Sequence, residues 1–326
     1  VNAAAASRRN TGIVFGVISS TFFSASGTFA KALTDAGFSA LQAVWLRIGG
    51  ACLILILVSL ARGTGPLRAL TRDRRTLGGI VVFGLVAVAV CQALFFVAAS
   101  RLPVGIAILL EFTGPVLVVL YQRVIRRQHV RPTAFLGIGL AMVGLCFVVE
   151  IWSGLSLDAL GLACGLGAAA GNAAYFLIID RLTGSADPLA ITTIGMSVAC
   201  VVLVPLAMPW NAPWHVLGAS IPLAGHAIPG WLVVVALVLV STVISYVFGA
   251  MAVQRLSATV AAGLAYVEPV SACVIAWVLL GQRLSAVQIT GGVVVLLGAY
   301  TAQRSAAPAV APAASPAVEP VSPVGK

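Results

Sequence analysis

Ten apolar runs, each near the length that carries a helix across a bilayer, take up most of the 326 residues and leave room for little else. A spanning helix needs about 20 mostly apolar residues at 1.5 Å of rise each. The runs, bounded by charged or Pro/Gly breaks, lie near 12–31, 39–61, 77–99, 103–122, 133–151, 158–179, 188–209, 230–253, 258–280 and 286–302, the last being short. They predict an all-α integral membrane protein with ten transmembrane helices. The composition agrees: 60% of residues are hydrophobic, 9% are charged and the mean hydropathy is +1.09. An average soluble domain carries about 25% charged residues.

The net charge of +10 belongs to the loops and sets orientation, so it does not point to nucleic acid. With the N-terminus inside, Arg8, Arg9, Arg62, Arg68, Arg72, Arg74, Arg75, Arg123, Arg126, Arg127, Arg131, Arg181, Arg255, Arg304 and Lys326 all fall on the cytoplasmic side. Only Lys31, Arg101 and Arg283 fall outside, and Arg47 lies within a helix. Trp152, Trp210, Trp214 and Trp231 then sit at the outer face, where an aromatic belt belongs. The Arg-over-Lys bias and the wealth of Ala, Val and Gly suggest a GC-rich bacterial coding sequence, hence a multi-pass protein of the bacterial cytoplasmic membrane with both termini cytoplasmic. The first apolar run has no small-residue cleavage pattern and reads as a retained helix.

The two halves of the chain repeat. A shift of 154 residues pairs Arg101-Leu102 with Arg255-Leu256, Pro115-Val116 with Pro269-Val270, Gln128 with Gln282, Gly137 with Gly291 and Gly144 with Gly298. Five helices per half is an odd number, so the second half enters from the opposite side and the repeats are inverted, as in many transporters. The expected division is a cytoplasmic tail at 1–11, a first five-helix repeat at 12–151, a second at 158–302 and a disordered Pro/Ala-rich tail at 303–326. The first helix of each half carries Gly-x-x-x-Gly, at Gly12/Gly16 and Gly161/Gly165, a spacing that permits close helix approach.

Ionisable residues inside apolar runs are costly, about 2.5–3.5 kcal/mol at the bilayer centre on insertion scales, and are functional candidates by default. There are three. Glu111 lies eight residues past Pro103, Arg47 eight past Ser39 and Glu268 ten past Ala258, which places all three about 12–15 Å into a core roughly 30 Å thick. Facing a wet cavity or pairing lowers their cost, and Arg47 with one of the glutamates is the evident pair. Desolvation favours a protonated carboxyl and a nearby guanidinium favours an ionised one, a competition suited to a proton-coupled carrier. The same trio also fits an ion pair that only locks helices together. Gln92, Asn172, Tyr175, Ser245, Tyr246 and Tyr266 could complete a substrate or proton site, or serve as interhelical hydrogen bonds. Pro115 and Pro269 should bend their helices just beyond the carboxylates and free backbone carbonyls.

Other chemistry lacks residues to carry it. The six cysteines lie singly in apolar runs, without the spacing of a disulfide framework or zinc site, and read as packing residues. His215 and His226 fall in the longest outer loop, and His129 in a basic inner one. No H-E-x-x-H, G-x-S-x-G, Walker or aspartate-rich diphosphate motif occurs, so neither an enzyme nor a cofactor is expected.

Gly105-Ile106-Ala107 followed by Leu110-Glu111-Phe112-Thr113-Gly114-Pro115 is similar to the helix-4 motif of threonine/homoserine exporters, within the EamA-type branch of the drug/metabolite transporter superfamily. Glu268-Pro269 resembles that branch's helix-9 Glu-Pro. Ala30-Lys31, Leu46-Arg47 and Ala173-Ala174-Tyr175 match in helices 1, 2 and 6, over about 12–302. In one departure, helix 9 ends in Gly281-Gln282-Arg283 where the family has Gly-Glu. The resemblance implies an inner-membrane exporter of small metabolites, above all amino acids such as threonine or homoserine, driven by a proton or substrate gradient. Its partners are then a small molecule, protons and the bilayer. A carrier of another solute, such as an antimetabolite or secondary product, and a membrane-embedded scaffold or enzyme are the other readings.

Overall fold

Helix α2 (Ala40–Arg62) shows how the sequence starts and stops a span. Ser39 closes a capping box with Gln42, so that two backbone N–H groups at the helix start are satisfied reciprocally. At the far end Arg62 lies in the last turn and Gly63 takes φ 100°, a conformation open to glycine. Between the caps every residue is apolar or small except Gln42, Arg47 and the terminal Arg62.

The computed structural model describes residues 2–102, 104–148, 150–152, 158–182, 187–223, 225–280 and 285–305. Pro103, the Gly281-Gln282-Arg283 departure and the tail from 306 onward lie outside the described residues. Helix α1 spans Asn2–Asp35, beginning well before the expected 12 because the alanine run at 3–6 favours helix. After α2 come a short α3 (Gly65–Arg72) and then α4 (Arg74–Val82), joined through a π-helical stretch at Phe83–Val90 to α5 (Cys91–Arg101). Asp73 caps α4, and the Thr76 hydroxyl and the Arg75 N–H hold its carboxyl below the usual carboxylate range. Next are α6 (Val104–Glu111), α7 (Gly114–Leu120) with a π-helical end at Tyr121–Ile125, α8 (Pro132–Val148), α9 (Ala159–Leu182) and α10 (Pro188–Ala207). The strands β1 (Ser220–Leu223) and β2 (His226–Pro229) precede α11 (Gly230–Val238), which runs through a π-helical stretch at Leu239–Ile244 into α12 (Ser245–Arg255). The last helices are α13 (Ala258–Ala265), α14 (Val267–Leu280) and α15 (Ala286–Ser305), which passes the expected end at 302.

Eight helical runs among the described residues are long and apolar enough to cross a membrane, accompanied by two shorter apolar helices, Pro132–Val148 and Ala286–Ala302. The surface fits a hydrocarbon solvent: Val201 is 71% exposed and Leu136 65%, whereas Arg47 is 5% exposed. This inside-out distribution is that of a membrane protein. Trp152, Trp210, Trp214 and Trp231 are all exposed.

The expected all-α fold needs one correction. Antiparallel β1 and β2 form a hairpin with Ile221 opposite Ile228. Ile221 and Leu223 bury their side chains with Leu33, Phe38, Val233 and Leu237, so the loop between α10 and α11 is a packed cap. The basic loop after α2 is also structured: α3 turns Leu67 and Leu70 toward the main core and leaves Arg68 and Arg72 in solvent.

The closest helix pair is α8 with α15. A Cβ on Gly144 would lie 2.6 Å from Val295 N and 2.8 Å from Gly291 O, and one on Gly298 would lie 2.4 Å from Ala141 N and 2.6 Å from Gly137 O. Backbone therefore touches backbone, which only small residues allow. The glycines meet crosswise, Gly137 with Gly298 and Gly144 with Gly291. Both Gly-x-x-x-Gly motifs also lie at contacts, with Gly16 against Leu264 and Gly165 against Leu110.

Gly144→Ala and Gly298→Ala should each lower the unfolding midpoint in detergent, with an overpacking cost of about 1–3 kcal/mol. Gly139→Ala, on the same helix with nothing within 4 Å of the added carbon, should leave the midpoint unchanged or raise it.

Candidate functional site

Both intramembrane glutamates sit at interruptions of their helices. Glu111 is the last residue of α6, and after Phe112 and Thr113 the chain re-enters helix at Gly114 with Pro115 in the first turn of α7. Pro115 has no N–H to give the carbonyl four residues back, that of Glu111 itself. In the second half α13 ends at Ala265, Tyr266 makes a turn, and α14 carries Glu268 and Pro269 in its first turn. The two interruptions are joined to each other: the Tyr266 hydroxyl donates to the Phe112 carbonyl at 2.8 Å, and the two rings lie 5.8 Å apart.

Arg47 projects from the middle of α2 and is held by neutral groups. Its Nη1 donates to Ser26 Oγ and its Nη2 to Gln92 Oε1, both at 2.9 Å. The guanidinium carbon stands 5.1 Å from the centre of the Phe23 ring, within cation–π range. Its Nε is buried and has no partner. The expected ion pair is not formed: among the described residues no carboxylate lies within 4.0 Å of Arg47. Gln92 on α5 and Ser26 on α1 occupy the donors that a glutamate would have taken.

Two cavities meet at the glutamates. The wider, about 630 Å³, is lined by Arg47, Gln92, Glu111, Glu268 and Pro269 and reaches Lys31, Thr34 and Ala40, where α1 turns into α2. The Lys31 side chain is 64% exposed, so the cavity opens at that end. The narrower, about 100 Å³, is lined by Ser19, Ser20, Asn172, Tyr175, Ser245 and Tyr246. It has room for a few waters. From Ser19 to Lys31 is about 18 Å along α1 at 1.5 Å per residue, so the cavities lie on opposite sides of the charged level. They share Phe23, Gln92, Glu111, Phe112 and Glu268.

The structure thus brings together Arg47, Gln92, Glu111 and Glu268, with Asn172, Tyr175 and Tyr246 on the narrow side. Tyr175 and Tyr246 pack edge to face with ring centroids 5.8 Å apart. Tyr266 lines neither cavity; it is fully buried behind the Phe112 wall as a clamp. Pro115 is buried as well and is absent from both linings, unlike Pro269. Sequence reasoning missed Phe23 and Ser26, which hold Arg47, and Cys91, whose sulfur lies 3.9 Å from Glu111 Oε1. It also missed Phe95 and Phe96 of the wide cavity. Apolar residues that line a cavity and those that face lipid look alike in a sequence.

Membrane-spanning helices around a cavity lined by an arginine and two glutamates, with helices broken at that level, are an arrangement that many transporters share. The chain belongs to the EamA-like transporter family, whose model matches residues 10–150 and 159–302. It is 31% identical over 199 residues to the threonine/homoserine exporter RhtA of Salmonella typhimurium and 32% identical over 199 residues to that of Escherichia coli K12. Each alignment takes in 60% of this chain and 61% of the relative, so the similarity spans less than two thirds of those exporters. A solved crystal structure, 18% identical, superposes with a TM-score of 0.72 over 91% of this chain and 99% of its own and shares the fold.

Tyr266→Phe should leave the buried Phe112 carbonyl unpaired and destabilise the protein by about 1–3 kcal/mol. A lower unfolding midpoint in detergent than wild type would register it.

Proposed function

We propose that this protein is an inner-membrane secondary exporter of small metabolites, above all amino acids, of which threonine and homoserine are the first candidates, driven by a proton or substrate gradient and performing no enzymatic chemistry. One observation carries this reading. Arg47 is buried, with no carboxylate partner among the described residues and an unpaired Nε, on the same cavity as two glutamates. A zwitterion complements that arrangement: its carboxylate meets Arg47 by charge-assisted hydrogen bonds, and its ammonium, or a coupling proton, meets Glu111. Glu268 shares the proton or sets the shape of the cavity. Gln92 orients Arg47, while Asn172, Tyr175 and Tyr246 line the far side. A helix-locking role for the trio is less well supported, because Arg47 is not paired with either glutamate. The likeness to threonine/homoserine exporters favours amino acids over other solutes.

In this reading ten helices cross the membrane, the eight long runs together with Pro132–Val148 and Ala286–Ser305. They form two inverted five-helix repeats, 12–151 and 158–302, with both termini cytoplasmic. Reciprocal contacts support the inversion: a two-fold relation makes residue i meet the counterpart of j and j meet the counterpart of i. Gly137 meets Gly298 while Gly144 meets Gly291, and the contacts of Gly16 with Leu264 and Gly165 with Leu110 correspond in the same way. The arginine-rich loops support the cytoplasmic placement. The wide cavity then faces outward and the narrow one inward.

Counterflow in proteoliposomes loaded with unlabelled threonine or homoserine tests the reading. Labelled substrate should be trapped saturably by wild type and lost in Glu111→Gln. Full transport by Glu111→Gln, with an unchanged pH dependence, would remove Glu111 from the mechanism. Failure to trap either amino acid would end the assignment of these two substrates.

A further inference from the structure

Threonine and homoserine present a hydroxyl beyond their charged groups, and away from Gln92 and the charged residues the wide cavity offers few polar side chains to receive one. Its hydroxyl-bearing walls are Ser24, Ser26 and Thr34. Ser24 Oγ donates to Thr21 O at 2.6 Å, Thr34 Oγ1 donates to Lys31 O at 2.9 Å, and Ser26 Oγ accepts from Arg47 at 2.9 Å. Each already makes one hydrogen bond within the protein, so a substrate hydroxyl would meet only their remaining capacity. Much of the remaining wall is apolar: Val44 from α2, Phe95 and Phe96 from α5, Ile108 from α6, and Phe112. Phe95 and Phe96 stand edge to face with ring centroids 5.6 Å apart, and both are half-buried. Phe23 is occupied by the guanidinium of Arg47, which leaves the α5 and α6 side chains to meet a ligand.

Size permits the same. At about 630 Å³ the cavity falls in the range of roughly 300–1,000 Å³ that encloses drug-sized ligands. A threonine anchored at its charged ends would leave the phenylalanine wall wet. A branched aliphatic or aromatic side chain would cover that wall and take its apolar surface out of water.

We propose that the wide cavity selects amino acids with bulky apolar side chains, of the leucine or phenylalanine type, over the small hydroxy-amino acids, the side chain lying against Phe95, Phe96 and Ile108. This rests on the reading of the site as an amino-acid carrier. Threonine and homoserine still enter, because an apolar pocket rejects an added hydroxyl by only about a hundred-fold.

The test is competition in counterflow by proteoliposomes carrying the full chain, with labelled leucine and labelled threonine measured in parallel. Unlabelled leucine or phenylalanine should half-inhibit trapping at a concentration about ten-fold or more below that of threonine, the order of discrimination expected from added apolar groups. Phe95→Ala and Phe96→Ala, checked for folding by gel filtration, should shrink that ratio, and Phe96→Leu should restore most of it. If threonine and homoserine are trapped while leucine and phenylalanine do not compete at ten times their concentration, the selectivity proposed here is wrong and the amino-acid carrier stands. A ratio untouched by both alanine variants would also overturn it. If no amino acid of the set is trapped, the carrier reading falls with it.

Discussion

The energetic cost of placing charge in hydrocarbon is the constraint on which the rest of this structure depends. The outward surface is given over to side chains such as Val201, Leu136 and Val278, while Arg47, Glu111 and Glu268 are turned inward to one cavity. A group that costs about 2.5–3.5 kcal/mol at the bilayer centre is tolerable where water or polar groups reach it. Arg47 is served by a serine, a glutamine and the face of a phenylalanine, which satisfy much of its hydrogen-bonding capacity without cancelling its charge. A buried ion pair would have cancelled it. What results is an interior with a guanidinium and two carboxyl groups held apart and space around them.

The same constraint explains why the helices break where they do. Non-helical backbone at membrane depth is tolerated only where it is buried in protein or lines a cavity. The turn at Phe112-Thr113 and the turn at Tyr266 meet these conditions together, since the Tyr266 hydroxyl satisfies the Phe112 carbonyl across the gap between them. Each break holds a glutamate and a proline, adjacent as Glu268-Pro269 and four positions apart as Glu111 and Pro115, and the link between the breaks ties the two carboxyl-bearing segments together. Tyr266 therefore acts on the cavity without touching it.

The membrane helices were legible in the sequence because hydrocarbon writes its demand residue by residue. Glu111, Glu268 and Arg47 stood out for the same reason, as rare charges in greasy runs. The partner of Arg47 was not legible. Charge pairing is the simplest expectation, but Ser26 and Gln92 reach the guanidinium first, and that depends on how α1, α2 and α5 pack. Phe95 was hidden because a cavity wall and a lipid-facing stripe share one composition. The β1–β2 hairpin was hidden too: its strands are four residues each and carry prolines, and burial of Ile221 and Leu223 against Phe38, a tertiary fact, holds them. Tyr266 was noticed as polar, but only geometry separates a clamp behind the wall from a residue on it.

The contacts around the cavity differ in kind from those that hold the bundle. Helices α8 and α15 touch through glycine backbones, with Gly137 and Gly144 against Gly298 and Gly291, leaving no side chain that could swing aside. Between the wide and narrow cavities stand side chains, among them Phe23, Phe112 and Gln92. On the narrow side α1 is held to its neighbours by single hydroxyl bonds, Ser19 to the Ser245 carbonyl at 2.7 Å and Ser20 to the Leu264 carbonyl at 3.2 Å. A backbone-to-backbone seam resists rearrangement because any shift opens a void or a clash, whereas a rotamer change or one exchanged hydrogen bond costs on the order of 1 kcal/mol. The rigid seam therefore lies behind the Phe112–Tyr266 wall and outside both cavity linings, and the adaptable contacts lie along the cavities themselves.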